Sequence, residues 1–292
     1  MNYSPLRYPG GKTKMLPIIK SMIEKLENCR TYIEPFAGGA GVALGLLFDN
    51  CVDNIVINDF DKSIYSIWRA ILTETDKLIQ LINNTPISIT EWYKQKEIYT
   101  NNNKKYSLEL GFAALYLNRT NRSGILKAGP IGGFSQNGKY LIDARFKKEK
   151  IIRTIEKIAL YKDKIKLYNY EINTFIKNII PKYKNGFIYF DPPYFKKGKD
   201  LYKNFFTKKD HEKLSKQIKR LSNKWIVSYD NENYIKSLYN NYGSKKYKIH
   251  HSVANNGTGI EVMFVSDNNL WLSDDELKKI KTSINFIGDT NE

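Results

Sequence analysis

Residues 32–72 leave little freedom in fold class. Tyr32-Ile33-Glu34-Pro35-Phe36 reads as a short buried strand, a glycine-rich turn follows over 37–41, and an apolar helix continues to Leu47. Ile55-Val56-Ile57 is then a β-branched strand ending at Asn58-Asp59, with a helix expected over 62–72. Strand, crossover helix, strand is the order that builds a parallel pair, since parallel neighbours cannot be joined by a tight turn. An α/β protein with a mostly parallel sheet is expected.

The alternation pauses over 75–150. Helical pieces at 91–99 and 107–117 lead there into a glycine-rich, basic loop at 118–148. Strands resume near 165–168, 187–190, 225–228, 246–251 and 261–265, and a helix over 15–26 precedes the first strand. The last two strands have no helix between them, so the sheet should end in an antiparallel hairpin, followed by a short charged tail after Leu270. The organisation predicted is one α/β unit, 1–74 and 150–292, interrupted by a mainly helical insert at 75–149.

Asp191-Pro192-Pro193-Tyr194 follows the apolar strand Phe187-Ile188-Tyr189-Phe190 directly. With proline at about 5% of residues, such a tetrapeptide arises by chance in roughly one chain in several hundred of this length. Two prolines and an aromatic at the carboxyl end of a strand make a rigid ledge facing a ligand crevice. That ledge suits the exocyclic amine of adenine, whose lone pair is delocalised into the ring. The amine becomes nucleophilic when a carboxylate and a backbone carbonyl accept its hydrogen bonds and draw the nitrogen toward tetrahedral geometry. Asp191 would supply the first acceptor, as an ionised carboxylate, and Pro192 the second. The Tyr194 ring would offer a face to an extruded base.

Glu34-Pro35-Phe36-Ala37-Gly38-Gly39-Ala40-Gly41 lets backbone approach a nucleotide-like ligand. Asp59, at the end of the next strand, can accept both ribose hydroxyl protons. Together they favour an adenosine-containing cofactor; the GxGxxG spacing of a dinucleotide site is absent. Arg7-Tyr8-Pro9-Gly10-Gly11-Lys12 superficially suggests a phosphate loop, but Leu6 stands where that pattern needs glycine and no apolar strand precedes it.

A formal charge of +17 and a pI near 9.5 point to a polyanionic partner. The chain is also crowded with Lys, Asn, Ile and Tyr, as an AT-rich genome would produce, so charge alone decides nothing. Cys29 and Cys51 match neither a disulfide framework nor a zinc signature, and three histidines are too scattered to suggest a metal. No run of signal-peptide or membrane-spanning length is present, so a cytoplasmic protein without membrane or metal partners is expected.

In this order the three motifs resemble the Dam-like α-class (DPPY) DNA adenine-N6 methyltransferases, and the resemblance runs from Tyr8 to about Val265. It implies a Rossmann-like, S-adenosylmethionine-dependent methyltransferase fold with an inserted target-recognition domain. It implies site-specific methylation of adenine N6 in double-stranded DNA by base flipping, and leaves room for a cognate restriction endonuclease as partner. By the same resemblance Tyr8, Lys12, Phe36, Gly38, Gly39, Gly41, Asp59, Phe60 and, from a less distinctive segment, Tyr170 contact the cofactor. Asp191, Pro192, Pro193 and Tyr194 carry the chemistry.

The segment 117–127 resembles the family's base-reading hairpin, with Lys127 at the position of a base-reading arginine. Arg119, Arg122, Ser123, Lys127, Lys139 and Arg145 are the expected DNA contacts, and their glycine-punctuated basic loop suits phosphate and guanine. The hairpin tip departs from Dam, with Arg122 and Ser123 in place of an aromatic and an asparagine, so a GATC target does not carry over. Tyr202, Phe205 and Phe206 read equally as walls for a flipped base or as packing. Ser228-Tyr229-Asp230-Asn231 reads as turn chemistry, and 255–259 as a hairpin connection. An RNA adenine or cytosine-N4 substrate, or an inert DNA-binding module, are the alternatives; the retained Asp191 and glycine turn speak against the last.

Overall fold

The computed structural model describes residues 3–8, 10–102, 106–196, 206–250 and 258–287. Among them, strands β1 (Thr31–Glu34), β2 (Asn54–Asn58), β3 (Ile165–Tyr168), β4 (Phe187–Phe190), β5 (Trp225–Asp230), β6 (Ser244–His250), β7 (Thr258–Val265) and β8 (Asn285–Ile287) form one sheet. Its order is β3-β2-β1-β4-β5-β7-β6-β8. The first five positions are parallel, β7 runs antiparallel to β5, and β6 pairs antiparallel with β7. From β1 the chain steps outward through β2 to β3, then returns to β4 on the other side. The crevice between β1 and β4 is thus the topological switch point, where α/β sheets hold their ligands.

Strand alternation divides the core into two layers. Tyr32, Ile55, Ile57, Phe187, Tyr189, Ile226, Tyr247 and Met263 face one side; Ile33, Val56, Ile188, Phe190, Val227, Val262 and Phe264 face the other. Helices α1 (Leu16–Glu24), α2 (Gly41–Phe48) and α3 (Lys62–Thr73) cover the first face. Helices α8 (Ile172–Asn178), α9 (Lys208–Ile218) and α10 (Asn233–Leu238) cover the second. Asp61 caps α3 by accepting from the Ser63 amide, which fixes where that helix begins just past Asp59.

The interrupting segment holds α4 (Thr75–Asn84), α5 (Ile89–Asn101) and α6 (Leu108–Thr120), and α7 (Lys148–Ala159) returns the chain to the sheet. Helix α4 went unassigned in the sequence because only Leu78 and Ile82 of its ten residues are buried. Helix α6 crosses α3 closely: a Cβ on Gly111 would lie 2.6 Å from the Ser66 carbonyl oxygen. Phe112, Leu115 and Tyr116 join the same apolar cluster as the first face of the sheet, so the insert is seated firmly beside the crevice.

The region after Leu270 differs from the expected charged tail. It folds into α11 (Asp274–Lys279) and β8, which pairs with β6 through Lys246, Tyr247 and Lys248. Phe286 packs edge-on against Tyr247 and Trp271, anchoring a strand too short to show any periodicity. No helix among the described residues is long and apolar enough to cross a membrane.

Candidate active site

A cavity of about 1150 Å³ opens at the carboxyl ends of β1, β2 and β4. Tyr8, Lys12, Phe36, Gly39, Gly41, Asp59, Phe60, Tyr170, Asp191 and Pro193, all singled out in the sequence, line it. So do Arg119, Ser123 and Arg145 from the insert, which form its mouth. One continuous space therefore joins the glycine turn, the Asp-Pro-Pro-Tyr ledge and the insert.

On the β1–β2 side, the turn into α2 is held by backbone strain and one carboxylate. Gly38 has φ +47°, and a Cβ there would lie 2.7 Å from the Tyr8 ring. Ala40 is also left-handed, at φ 46° and ψ 34°. Asp59 accepts from the Gly38 amide through Oδ2 (2.9 Å) and from the Asp61 amide through Oδ1 (2.9 Å). Each oxygen keeps a second acceptor site for a ligand hydroxyl. Burial, reinforced by Asp61, raises the Asp59 carboxyl to about 7.

Phe60 and Tyr170 are exposed to the cavity, 52% and 42%. Asn58 pins the Tyr170 segment: its Oδ1 accepts from the Tyr170 amide at 2.8 Å and its Nδ2 donates to the Tyr170 carbonyl at 3.1 Å. Glu34, unassigned in the sequence, lines the floor and accepts from Tyr32 and the Ala43 amide; burial raises it to about 8.

On the β4 side, Asp191 faces the cavity at the centre of a buried polar network. Lys12 Nζ donates to its Oδ1 and Oδ2 at 2.9 and 3.0 Å, and Ser228 Oγ donates to Oδ1 at 2.9 Å. The same ammonium donates to the Tyr194 hydroxyl at 3.0 Å and lies 3.6 Å from Glu261 Oε2. Tyr194 donates in turn to Glu261 Oε1, and Tyr247 to Oε2 at 2.5 Å. Burial pushes the Asp191 carboxyl up, with Lys12 opposing and Glu261 adding to it. Burial alone would lower Lys12; Asp191 and Glu261 outweigh it and hold the ammonium well above its ordinary range.

Several placements differ from the sequence reading. Lys12 lines the cavity as expected of a cofactor contact, yet its ammonium is on Asp191. Tyr194 is buried at 4% exposure and does not line the cavity; Lys12 reaches its hydroxyl and lies 5.1 Å from its ring centroid, so the ring is not presented to the cavity. Pro192 and Gly38 do not themselves line the cavity, although their neighbours Asp191, Pro193 and Gly39 do. The segment 228–231, expected to serve as turn chemistry, instead closes β5: Ser228 donates to Asp191, and Asp230 accepts from the Phe195 and Lys196 amides, both at 2.9 Å, which braces the loop after the ledge. Phe206 lines the cavity and packs edge-on to Phe36 at 6.0 Å. Tyr202, Phe205 and 255–257 lie outside the described residues, as does Pro9.

At the mouth, Asn118 ties the hairpin to the amino-terminal segment. Its Oδ1 accepts from the Arg7 amide and its Nδ2 donates to the Arg7 carbonyl, both at 2.8 Å. Arg119 lies against Pro5, with its Nε buried and without a partner. Burial and the neighbouring Arg7 and Arg145 lower Arg119 to about 10, so this corner is strongly electropositive. Arg122, Lys127, Lys139 and Arg145 are exposed on the 121–147 loop. Beside them, Tyr93 and Phe134 stack at 6.0 Å, each 54% exposed, a feature no sequence motif marked.

The chain matches the model of the D12 class N6 adenine-specific DNA methyltransferases over residues 8–255. It is 26% identical over 267 residues to the Type II methyltransferase M.MjaIII of Methanocaldococcus jannaschii, covering 82% of this chain and 89% of that protein. It is also 26% identical over 247 residues to the Type II methyltransferase M.CviBI of Paramecium bursaria Chlorella virus NC1A, covering 83% and 88%. Against M1.LlaDCHI of Lactococcus lactis subsp. cremoris the identity is 26% over 217 residues, covering 72% and 70%. A match that spans the glycine turn, Asp59, the helical insert and the Asp-Pro-Pro-Tyr ledge in one frame is not a likeness of fold alone: the chain belongs to the D12 class N6 adenine-specific DNA methyltransferase family.

Proposed function

We propose that the cavity binds S-adenosylmethionine on its β1–β2 side and an adenine rotated out of duplex DNA on its β4 side. The observation that carries this is the single space in which the buried Asp59 carboxylate and the Asp191 carboxylate both look inward. The cofactor fits the residues present: acceptor positions remain on both Asp59 oxygens, Phe60 and Tyr170 offer aromatic faces, and the glycine turn leaves backbone accessible. Tyr8, Phe36, Gly38, Gly39 and Gly41 complete that half. When bound, S-adenosylmethionine supplies an electrophilic methyl group.

Asp191 and the Pro192 carbonyl accept from the adenine amine and make its lone pair available. Ser228 and Lys12 hold the Asp191 carboxylate against rotation, and the prolines keep the carbonyl in register. Pro193 bounds the base. Because burial raises Asp191, that carboxylate is also a competent acceptor for the proton that N6 loses after methylation.

The division of labour we propose is 1–74 with 150–292 for catalysis and 75–149 for target recognition. Arg119, Arg122, Ser123, Lys127, Lys139 and Arg145 contact the duplex, with Lys127 reading a base and the Arg119–Arg145 corner receiving phosphate. Similarity to three Type II methyltransferases supports a place in a cytoplasmic restriction-modification system with a cognate endonuclease as partner. Tritiated S-adenosylmethionine with mixed-sequence duplex DNA tests the reaction. Wild-type protein should label DNA, and Asp191→Ala should not, while binding cofactor within a few-fold of wild type. Labelling by Asp191→Ala would refute the role of that carboxylate.

A further inference from the structure

We propose that Glu261 is a positioning residue for methyl transfer: it fixes Lys12 and Tyr194 against the Asp191 carboxylate and adds a negative charge that favours the cationic nitrogen formed at N6. The inference rests on the proposed role of Asp191. Glu261 itself does not line the cavity, so it acts through its neighbours.

Sheet geometry brings it there. β7 lies beside β5, which lies beside β4, with Asp230 opposite Glu261 and Val227 opposite Phe190. Alternation turns Glu261 to the same side as Met263, Tyr247 and Tyr189, beneath the ledge. At 1% exposure its two oxygens take one phenol each, Tyr194 on Oε1 and Tyr247 on Oε2. The Tyr194 hydroxyl also accepts from Lys12, whose ammonium spans to both Asp191 oxygens. Glu261 thus braces the ledge at its tyrosine and the catalytic carboxylate at its counter-ion.

The charge count gives the brace a second effect. Two carboxylates, Asp191 and Glu261, share one buried ammonium, so the ionised cluster is negative by one. A buried carboxylate is seldom the most stable solution for a strand interior, where an apolar side chain serves as well or better. Its electrostatic value is to a positive charge arising nearby in a water-poor site. N6 acquires such a charge as it takes the methyl group, with the donor sulfur leaving as a thioether, and loses it when one proton passes to Asp191.

Glu261→Gln keeps shape and removes the charge. With tritiated S-adenosylmethionine and duplex DNA between pH 5.5 and 9, kcat should fall tenfold or more, while KM for cofactor and DNA stays within threefold. The groups facing Asp191 are Lys12, Ser228, Tyr189, Tyr194 and Glu261, with Glu34 and Tyr32 facing it from β1. Glu34 is the same in both proteins; Glu261 is the carboxylate the substitution removes, and its charge opposes ionisation of Asp191. The acid limb of kcat should therefore move to lower pH in Glu261→Gln, a change that loosened packing does not produce. Tyr247→Phe, which keeps the charge and removes one brace, should retain kcat within threefold.

Wild-type kcat and pH profile in Glu261→Gln would overturn the proposal, as would equal losses in Glu261→Gln and Tyr247→Phe with an unmoved profile. Should the glutamine prevent folding, Glu261→Asp decides: lowered kcat at unchanged KM in folded protein supports the brace, and wild-type kcat overturns it. Asp191→Ala in the same assay separates the two levels. An active Asp191→Ala removes the underlying reading, whereas an inactive one beside a fully active Glu261→Gln removes this inference alone.

Discussion

Replacing Lys12 by methionine should be among the more damaging single changes to stability in this chain, although it removes an amine and keeps an unbranched side chain. The ammonium is 4% exposed and compensates Asp191 at 2.9 Å and Glu261 at 3.6 Å. Lys12→Met leaves both carboxylates buried without a cation, and breaking one side of a buried pair costs about 3–5 kcal/mol. For a chain of 292 residues, each kcal/mol corresponds to about 2 °C, so the thermal midpoint should drop by about 6–10 °C. The sign of the pH dependence follows from Asp191. Lys12 is the main group that lowers its pKa, ahead of Ser228, so the variant's Asp191 is raised further above its unfolded value. A carboxyl raised in the folded state adds stability below its unfolded pKa and loses it as pH rises through the folded one. The deficit of Lys12→Met should therefore be largest at pH 8 and shrink toward pH 5. Urea unfolding at both pH values reads this directly. A loss below about 1 kcal/mol at pH 8, or a deficit that grows on acidification, would refute the reasoning.

Other outcomes are equally specific. Gly38→Ala must place a methyl group 2.7 Å from the Tyr8 ring at φ +47°, so calorimetry should find cofactor affinity reduced at least tenfold. Since burial holds Asp59 at about 7, affinity for S-adenosylmethionine should strengthen from pH 6 to pH 8 as the carboxylate forms, and Asp59→Asn should flatten that dependence. Arg122→Ala and Lys127→Ala, both exposed, should each change stability by less than about 0.5 kcal/mol. Where the side chain meets phosphate, the salt dependence of DNA binding should lose a slope of about one; for Lys127→Ala, sequencing of methylated DNA should show relaxed site preference instead.

The reaction chemistry was legible where it sits at strand ends. Asp59 and Asp191 each close a short apolar run, and a parallel sheet brings the carboxyl ends of such runs to one edge. The glycine turn was legible for the same reason: φ +47° at Gly38 is a local demand that residue type records. What the sequence hid is pairing across distance. Lys12 and Asp191 are 179 residues apart, and their contact depends on β4 lying next to β1 and on the path of the amino-terminal segment. Glu261 left one clue, an acid at the head of the run 261–265, buried on both faces; it gains meaning only once β7 is known to lie beside β5. Tyr194 was assigned a ring-face role because ring faces stack on bases; instead it is buried, its hydroxyl accepting from Lys12 and donating to Glu261.

The most direct test is a structure of the protein with S-adenosylhomocysteine and duplex DNA containing its methylation site. Adenine N6 should lie within about 3.2 Å of an Asp191 carboxylate oxygen and of the Pro192 carbonyl oxygen, with the ribose hydroxyls of the cofactor product on Asp59. An extruded adenine whose amine lies beyond hydrogen-bonding reach of Asp191, with that carboxylate still occupied by Lys12 and Ser228 alone, would contradict the account.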